Sequence, residues 1–399
     1  MTASLYSDTV KLDMVKYDLT LNVLQGDITM AKVKKYSIAV VIIALIIGLV
    51  VGGIGTYFAM PAKTVTTTAP AARVTVTTAI TKTKTITATP VARPPKYTIY
   101  FVSHGGPGDP FWATVIKGVK AAGDLLGVKA VYMGPEKYSI KKLIDMLEGV
   151  IAKKPDAIIV TITAYKALDE PLRRAIKMGI PVFAVNVYDP RPEGERIPYL
   201  GYLGQDDYEA GLALAENTIR VFKERFGRLP KRMLVGIEEP GHIGLEMRAK
   251  GAKEIGDKYG VPVEKLDITT DPTKAIEIVK AYLKKHPDTE VIMTLGPLGA
   301  HPMIKFIEEE GLKGKVYHAT CDVDSTIVEG IKKDITLVAI SQQPFAQGFL
   351  SVVSAYLYLE YGVQVPVGNV PAHVRTGPLA ITKDTLSLVM KQIEKTGGA

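Results

Sequence analysis

The sequence has one cysteine, Cys321, in 399 residues. No disulfide can form within the chain, so whatever folds is held by an apolar core, which a domain of about 300 residues can supply. Histidine is scarce, with six. His242 has no second histidine or cysteine at ligand spacing, so it reads as a turn residue and no metal site is expected. Nucleotide and acyl-transfer machinery is missing too. There is no G-K-S/T, hence no phosphate-binding P-loop, and no G-x-S-x-G elbow. No nucleophile has an evident histidine partner. No N-x-S/T sequon occurs. No arginine-rich run interleaved with aromatics occurs either, although Lys and Arg outnumber Asp and Glu by 49 to 41, a net charge of +8. The lysines are scattered and alternate with acids, as in "KKLIDMLEGVIAKK". That pattern is a solvated surface, so no nucleic-acid partner is expected.

What is present is 47% hydrophobic and 23% charged, a globular balance with an apolar excess. The excess sits in "IAVVIIALIIGLVVGGIGTYFA", Ile38 to Ala59, which carries no charge. At about 1.5 Å per residue this run crosses a bilayer core as one helix. Lys32, Lys34 and Lys35 precede it and only Lys63 follows closely. The positive-inside bias keeps residues 1–35 in the cytoplasm as a short tail, with 36–60 as the anchor and the rest outside the cell. A cleaved signal peptide is the competing reading, but "TYFAMPAK" is a weak cleavage pattern. Residues 1–29 show no clear pattern, and Met30 offers a second start. Residues 61–95 are threonine, alanine and proline with some valine and isoleucine, which reads as an extended linker.

From Lys96 the pattern becomes regular. Short apolar runs alternate with amphipathic helices: "YTIYFVS" and a helix to Leu126, "KAVYMG" and Ile140–Lys153, "DAIIVTI" and Leu168–Met178, then "PVFAVNV" and "YLGYLG". A long helix, Tyr208–Phe226, follows. The rhythm restarts with "RMLVGIE", "VEKLDI", "VIMTLG", "KVYHAT" and "TLVAIS". This alternation predicts an α/β fold of two doubly wound parallel-sheet lobes, preceded by the membrane helix and the Thr/Pro-rich stalk. In such sheets ligands sit beyond the carboxyl ends of the strands.

The loops at those ends carry the polar residues. "HGGPGDPFW" holds Asp109, Phe111 and Trp112; its glycines would let the turn approach a ligand without a Cβ in the way. "VNVYD" holds Asn186 and Asp189. "EEPGHIGLEMR" holds Glu238, Glu239, His242 and Arg248. "TLGPLG" leaves the backbone bare. "ATCDVD" holds Asp322 and Asp324, and "AISQQPFAQG" holds Gln342 and Gln343. Each also has a plainer reading. Asp109 caps the helix that Pro110 starts, Asp322 and Asp324 cap the helix at Ser325, the two rings staple a helix to the core, and Arg248 is one more surface cation. Carboxylates, amides, one guanidinium and flat rings together suit a neutral polyhydroxylated ligand, whose hydroxyls both donate and accept.

The stretches "GDPFWATVIKGVKAAGDLLG", "PDAIIVTIT", "AIKMGIPVFAVN", "GQDDYEAG", "MRAKGAKE" and "ISQQPFAQG" occur in that order. Over about Lys96 to Lys391 the chain resembles the sugar-binding receptors of bacterial and archaeal ABC importers, the ribose-binding-protein type of periplasmic binding protein. The resemblance implies that Asp109, Phe111 and Trp112 form the turn whose two rings sandwich the sugar. It implies ligand contacts for Asn186, Arg248, Asp322 and the hinge-side Gln342. Asn186 stands where the family usually has aspartate, Val187 where ribose binders have arginine, and Gly296 where asparagine is common. These departures remove a charged pair that ribose binders use and move the chain toward a sugar- or polyol-binding subgroup. Sugar-responsive repressors share the fold but need an N-terminal helix-turn-helix. Membrane sensors need a signalling domain, for which residues 1–29 are too few.

The expectation is therefore a monomeric, membrane-anchored solute receptor on the outside of the cell, binding a neutral sugar or polyol without any cofactor and working with an ABC permease and its ATPase subunits. One lobe would comprise 96–205 plus 343–370 and the other 206–342 plus 371–399, joined by a three-stranded hinge. An enzyme acting on a sugar or nucleotide in the cleft is the other reading.

Overall fold

The computed structural model describes residues 94–365 and 373–399, together with strand segments 8–14, 17–24 and 27–31. The apolar run 38–59 and all but the last two residues of the Thr/Pro-rich linker lie outside the described residues. Among the described residues no helix is long and apolar enough to cross a membrane.

The chain divides into two compact units, 1–88 and 89–399. The first contains an antiparallel meander of β1 (Asp8–Met14), β2 (Tyr17–Leu24) and β3 (Asp27–Ala31). Asp8 is opposite Val23 and Met14 opposite Tyr17, while Thr20 is opposite Ala31. The expectation of no pattern over residues 1–29 is therefore corrected. Val10, Leu12 and Met14 alternate with Thr9, Lys11 and Asp13 in the sequence, and period-two alternation is the signature of a strand with two unlike faces.

The second unit carries two six-stranded sheets. The first has the order β14-β8-β7-β6-β4-β5, all parallel. Its strands are β4 (Thr98–Val102), β5 (Lys129–Met133), β6 (Ala157–Val160), β7 (Val182–Val185), β8 (Tyr202–Gly204) and β14 (His373–Arg375). The second has the order β10-β9-β11-β12-β13-β15. It is built from β9 (Met233–Ile237), β10 (Val263–Asp267), β11 (Val291–Thr294), β12 (Tyr317–Cys321), β13 (Thr336–Ser341) and β15 (Leu379–Ile381). All its pairs are parallel except β13 with β15. The central strands are buried along their whole length. That is why they read as unbroken apolar runs: helices cover both faces of a parallel sheet.

The helices are α1 (Pro110–Leu126), α2 (Ile140–Ala152), α3 (Tyr165–Lys177), α4 (Asp207–Phe226) and α5 (Ile243–Tyr259). They continue with α6 (Pro272–Lys285), α7 (Pro297–Glu309), α8 (Ser325–Lys332), α9 (Pro344–Tyr361) and α10 (Ser387–Thr396). Several open on an acid that accepts a backbone N–H, such as Asp206 for α4 and Asp271 for α6, the usual satisfaction of a helix start.

The chain passes between the sheets at residues 205–206, 342–343 and 376–378. Because β14 pairs with β8, residues 373–375 belong to the first lobe's sheet. The expected boundary at 370/371 falls before this strand. In each sheet strand order reverses beside the first strand of the lobe, between β4 and β6 and between β9 and β11. The loops after those four strands are where a doubly wound sheet opens a crevice.

Two helix pairs approach through glycine. An added Cβ on Gly348 of α9 would lie 2.2 Å from the Val115 carbonyl of α1, and one on Gly211 of α4 would lie 2.0 Å from the Arg248 carbonyl of α5. Gly149 of α2, by contrast, has nothing within 4 Å of such a Cβ. Gly348→Ala and Gly211→Ala should each lower stability by about 1–3 kcal/mol through overpacking. Gly149→Ala should raise it by roughly 0.5–1 kcal/mol. Urea denaturation of the three variants checks this; equal shifts in all of them would contradict the close approach.

Candidate functional site

All seven residues singled out from the sequence line one cleft between the lobes: Asp109, Phe111, Trp112, Asn186, Arg248, Asp322 and Gln342. The first four come from the first lobe, Arg248 and Asp322 from the second, and Gln342 from a crossing between them. The enclosed space is about 40 Å³, on the order of one or two waters. A larger molecule therefore needs the lobes to part.

Asp109 is half-buried and caps α1, its Oδ1 accepting from the Phe111 amide at 2.8 Å. It both caps the helix and lines the cleft. Burial pushes its carboxyl up to about 6, against the pull of the Phe111 amide. Phe111 and Trp112 are 6% and 3% exposed. They pack in the first lobe's core and also line the cleft. Their planes stand at 83°, so a flat ring can lie against only one of them. The bare backbone before them serves a purpose other than the expected one. A Cβ on Gly105 would lie 2.1 Å from Trp112 and one on Gly106 2.5 Å from the Pro135 carbonyl. These glycines accommodate the protein's own groups.

Asn186 follows β7 with φ 63°, a left-handed conformation that asparagine tolerates better than most residues. Its Nδ2 donates to Gln347 Oε1 at 3.1 Å and to Gln342 Oε1 at 3.3 Å. Asp189, from the same loop, turns away and pairs with Arg191 at 2.6 Å. Asp322 follows β12 with φ 71° and accepts from Gln342 Nε2 at 2.6 Å. Burial pushes it up to about 7, although Arg248 and Gln342 pull the other way. Asp324, and not Asp322, caps α8, accepting from the Ile327 amide at 2.9 Å.

Arg248 is no surface cation. It is 3% exposed, its Nε donates to Asp207 Oδ1 at 2.7 Å, and its Nη1 donates to the Leu295 carbonyl at 2.6 Å. Truncating it would strand Asp207 as a buried charge, a loss of about 3–5 kcal/mol. Arg248 is thus structural as well as cleft-facing.

Four further polar cleft residues, His104, Glu238, Glu239 and His242, were not carried forward from the sequence, nor was Gln347, which is buried outside the cleft lining. Gln347 of α9 joins the Asn186–Gln342 amides and also donates to Thr376 Oγ1 at 3.2 Å. Glu238 and Glu239 follow β9 and are 5% and 8% exposed. Burial raises Glu238 to about 7 and Glu239 well above the usual range, the latter also repelled by Glu238. His104 and His242 meet across the lobes, Nε2 to Nε2 at 3.0 Å. The sequence offered no partner for His242 because its partner lies 138 residues away.

His104, Glu239 and His242 place ligand-type atoms within 4.8 Å of one another, which would suit a metal ion by distance. The proton pattern does not fit one. His242 Nδ1 accepts from the Leu245 amide at 3.3 Å as the N-cap of α5, so a neutral ring carries its proton on Nε2. His104 Nδ1 lies 2.9 Å from Thr161 Oγ1 and can carry its own proton there, leaving Nε2 as acceptor. His104 and His242 form a hydrogen-bonded contact between the lobes, with Glu239 3.9 Å from His242. Burial holds His104 well below the ordinary imidazole range and takes His242 to about 3. Long-range nitrogen–proton NMR should find both rings neutral from pH 8 to 5, His242 as the Nε2–H tautomer and His104 as Nδ1–H. A His242 ring protonated on Nδ1 would reinstate the metal reading.

The Periplasmic binding protein domain model matches residues 99–362. The xylose/arabinose-binding protein XylF of Sulfolobus acidocaldarius is 26% identical over 304 residues, covering 73% of this chain and 72% of that protein. Among solved structures, an ABC sugar transporter periplasmic sugar-binding protein from Legionella pneumophila is 31% identical, with a TM-score of 0.64. It covers 71% of this chain and 100% of its own. A carbohydrate transporter from Acidothermus cellulolyticus, in complex with myo-inositol, is 28% identical with a TM-score of 0.67 and covers 76% and 100%. These relatives are substrate-binding proteins and not enzymes. With its two doubly wound lobes and the cleft between them, the chain belongs to the periplasmic binding protein family, among the sugar-binding receptors of ABC transporters.

Proposed function

We propose that the chain is an extracytoplasmic receptor that captures a neutral sugar or polyol between its lobes and delivers it to an ABC permease. The observation that carries this reading is the convergence of hydrogen-bonding groups from both lobes on one cleft beside two aromatic rings. Asp109 lies on one side, Arg248 and Asp322 on the other, and Asn186 and Gln342 at the back. Carboxylates accept from hydroxyls, amides do both, and ring faces take the C–H surface of a sugar. The relatives named above are substrate-binding proteins, which disfavours the enzyme reading. Relatives carry xylose or arabinose in one case and myo-inositol in another. Pentoses and inositols are therefore the first ligands to try.

Binding of this kind proceeds by hinge closure. The three crossings lie side by side: a Cβ on Gly377 would lie 2.7 Å from the Ser341 carbonyl and 3.2 Å from Gln205. A narrow hinge lets each lobe move as a body while the cleft opens. The closed form then presents a surface of both lobes to the permease. The anchor is the second part of the proposal. The charge-free run 38–59 with its preceding lysines would hold the receptor at the membrane, cytoplasmic end first, and 61–95 would give it reach.

Titration calorimetry of the full chain in detergent with D-xylose, L-arabinose, D-arabinose and myo-inositol should give one-to-one binding of at least one of them, with no product formed. Asp322→Asn should weaken that binding at least tenfold, about 1.4 kcal/mol. A product, or no binding by any of them, would contradict the reading. Protease added to intact cells should cut within 61–95 and release the two-lobed domain. A domain protected until lysis would reverse the topology.

A further inference from the structure

We propose that Glu238 is a further ligand-binding residue and sets which hydroxyls the cleft accepts, taking over the space that a side chain at position 296 would otherwise use. The proposal rests on the receptor reading above. Its geometry comes from three neighbouring strand ends. Glu238 follows β9, Gly296 follows β11, and Asp322 follows β12. A Cβ built on Gly296 would lie 2.6 Å from Glu238 Oε1 and 3.7 Å from Asp322 Oδ2. The carboxylate thus reaches over the bare backbone of 296 and stands beside Asp322 at the cleft wall. Gly296 is extended, with φ −168°, so backbone conformation does not require glycine there. The missing side chain makes room.

Of the other cleft acids, Asp109 accepts from a backbone amide and Asp322 from Gln342, while Glu239 stands 3.9 Å from His242. Glu238 is 5% exposed, and its Oε2 has no hydrogen-bond partner among the described residues. A buried acceptor without a donor is costly unless something else fills it. Glu238 lines the cleft, so a ligand hydroxyl can fill it. An ionised carboxylate only accepts, whereas an amide both donates and accepts. In its ionised form Glu238 therefore selects a ligand that turns hydroxyl donors toward it.

The charges facing Glu238 come from several elements: Asp109 at the head of α1, Glu239 beside it, Arg248 on α5 and Asp322 after β12. Burial is the main reason its carboxyl sits at about 7, above the ordinary 4.5. A group raised on folding is protonated in the fold before it is in the unfolded chain. Its contribution is complete at low pH and is lost as pH rises through about 7. Glu238→Gln mimics the protonated form and removes that loss. Without ligand, the melting temperature of the variant relative to wild type should therefore rise between pH 5 and pH 8.

The experiment uses full-chain wild type, Glu238→Gln, Gly296→Ala and the double variant, titrated with the pentose and inositol panel and with singly deoxygenated analogues of whichever sugar binds. Glu238→Gln should bind that sugar at least tenfold more weakly while melting no lower than wild type. Gly296→Ala should weaken binding similarly by displacing the carboxylate, and the double variant should be no worse than either. For one deoxy analogue the affinity loss seen with wild type should shrink in Glu238→Gln, which pairs that hydroxyl with that carboxylate. Unchanged affinity in Glu238→Gln alongside a lower melting temperature would make Glu238 structural and overturn the proposal while leaving the receptor reading intact. Wild type that binds no sugar of the panel would overturn both.

Discussion

The buried guanidinium of Arg248 is the interaction around which the cleft is organised. It is fixed at two points, Asp207 at the head of α4 and the Leu295 carbonyl at the end of β11. Its position is set by backbone packing, since α4 and α5 touch through Gly211 and Gly251 with no side chain between them. Arg248 is also the cation that offsets burial at Asp322, Glu238 and Glu239. Burial still leaves Glu238 and Asp322 at about 7 and Glu239 well above the usual range, and without the arginine all three would rise further. One arginine thus lets one lobe present several acids to a ligand while holding its own helix and strand together.

The hinge depends on a second constraint. Asn186, Asp322 and Gln343 all have left-handed backbone conformations, each unfavourable for a residue with a Cβ. All three lie just beyond strand ends, with Gln343 in a crossing and Asn186 and Asp322 each hydrogen-bonded to Gln342 beside it. Their strain is held by the amide network of Asn186, Gln342 and Gln347, which reaches Asp322 through a 2.6 Å hydrogen bond. The network joins an asparagine of one lobe to an aspartate of the other through a residue of the crossing itself. Ligand contact at either end therefore bears on the segment that must flex.

Much of this was legible in the sequence. Apolar runs ending in polar loops located the strands, the rule that ligands sit beyond strand ends pointed to those loops, and the family resemblance singled out within them Asp109, Asn186, Arg248, Asp322 and Gln342, which the fold brings to one cleft. What was not legible depended on distance in space. His104 stands at the head of "HGGPGDPFW", but its partner is on the other lobe. Glu238 and Glu239 were visible as loop acids; that Glu238 reaches over Gly296 follows from β9 and β11 being neighbours. That Arg248 is fully buried was not legible, because the glycines on α4 and α5 that bury it are silent in a hydrophobicity pattern. The three-residue strands β14 and β15 are too short to show periodicity. The alternation in β1 and β2 was there to be read.

The division of acids between lobes gives closure its logic. Asp109 belongs to the first lobe, while Glu238, Glu239 and Asp322 belong to the second. In the closed form Asp109 raises the pKa of each of the other three, so bringing the lobes together sets like charges against one another. Parted lobes leave those carboxylates hydrated. A molecule that inserts hydroxyl donors between them replaces the lost water and screens the repulsion, and one that offers only acceptors adds to it. The difference in free energy between occupied and unoccupied closure is then larger than the hydrogen bonds alone would give, and it is such differential stabilisation that shifts a two-state hinge. The interlobe His104–His242 contact works in the same direction, because two neutral rings can meet at 3.0 Å without charge. On the proposed receptor reading, the acids favour closure on a donor-rich ligand, and the neutral His104–His242 pair joins the lobes without adding a like charge.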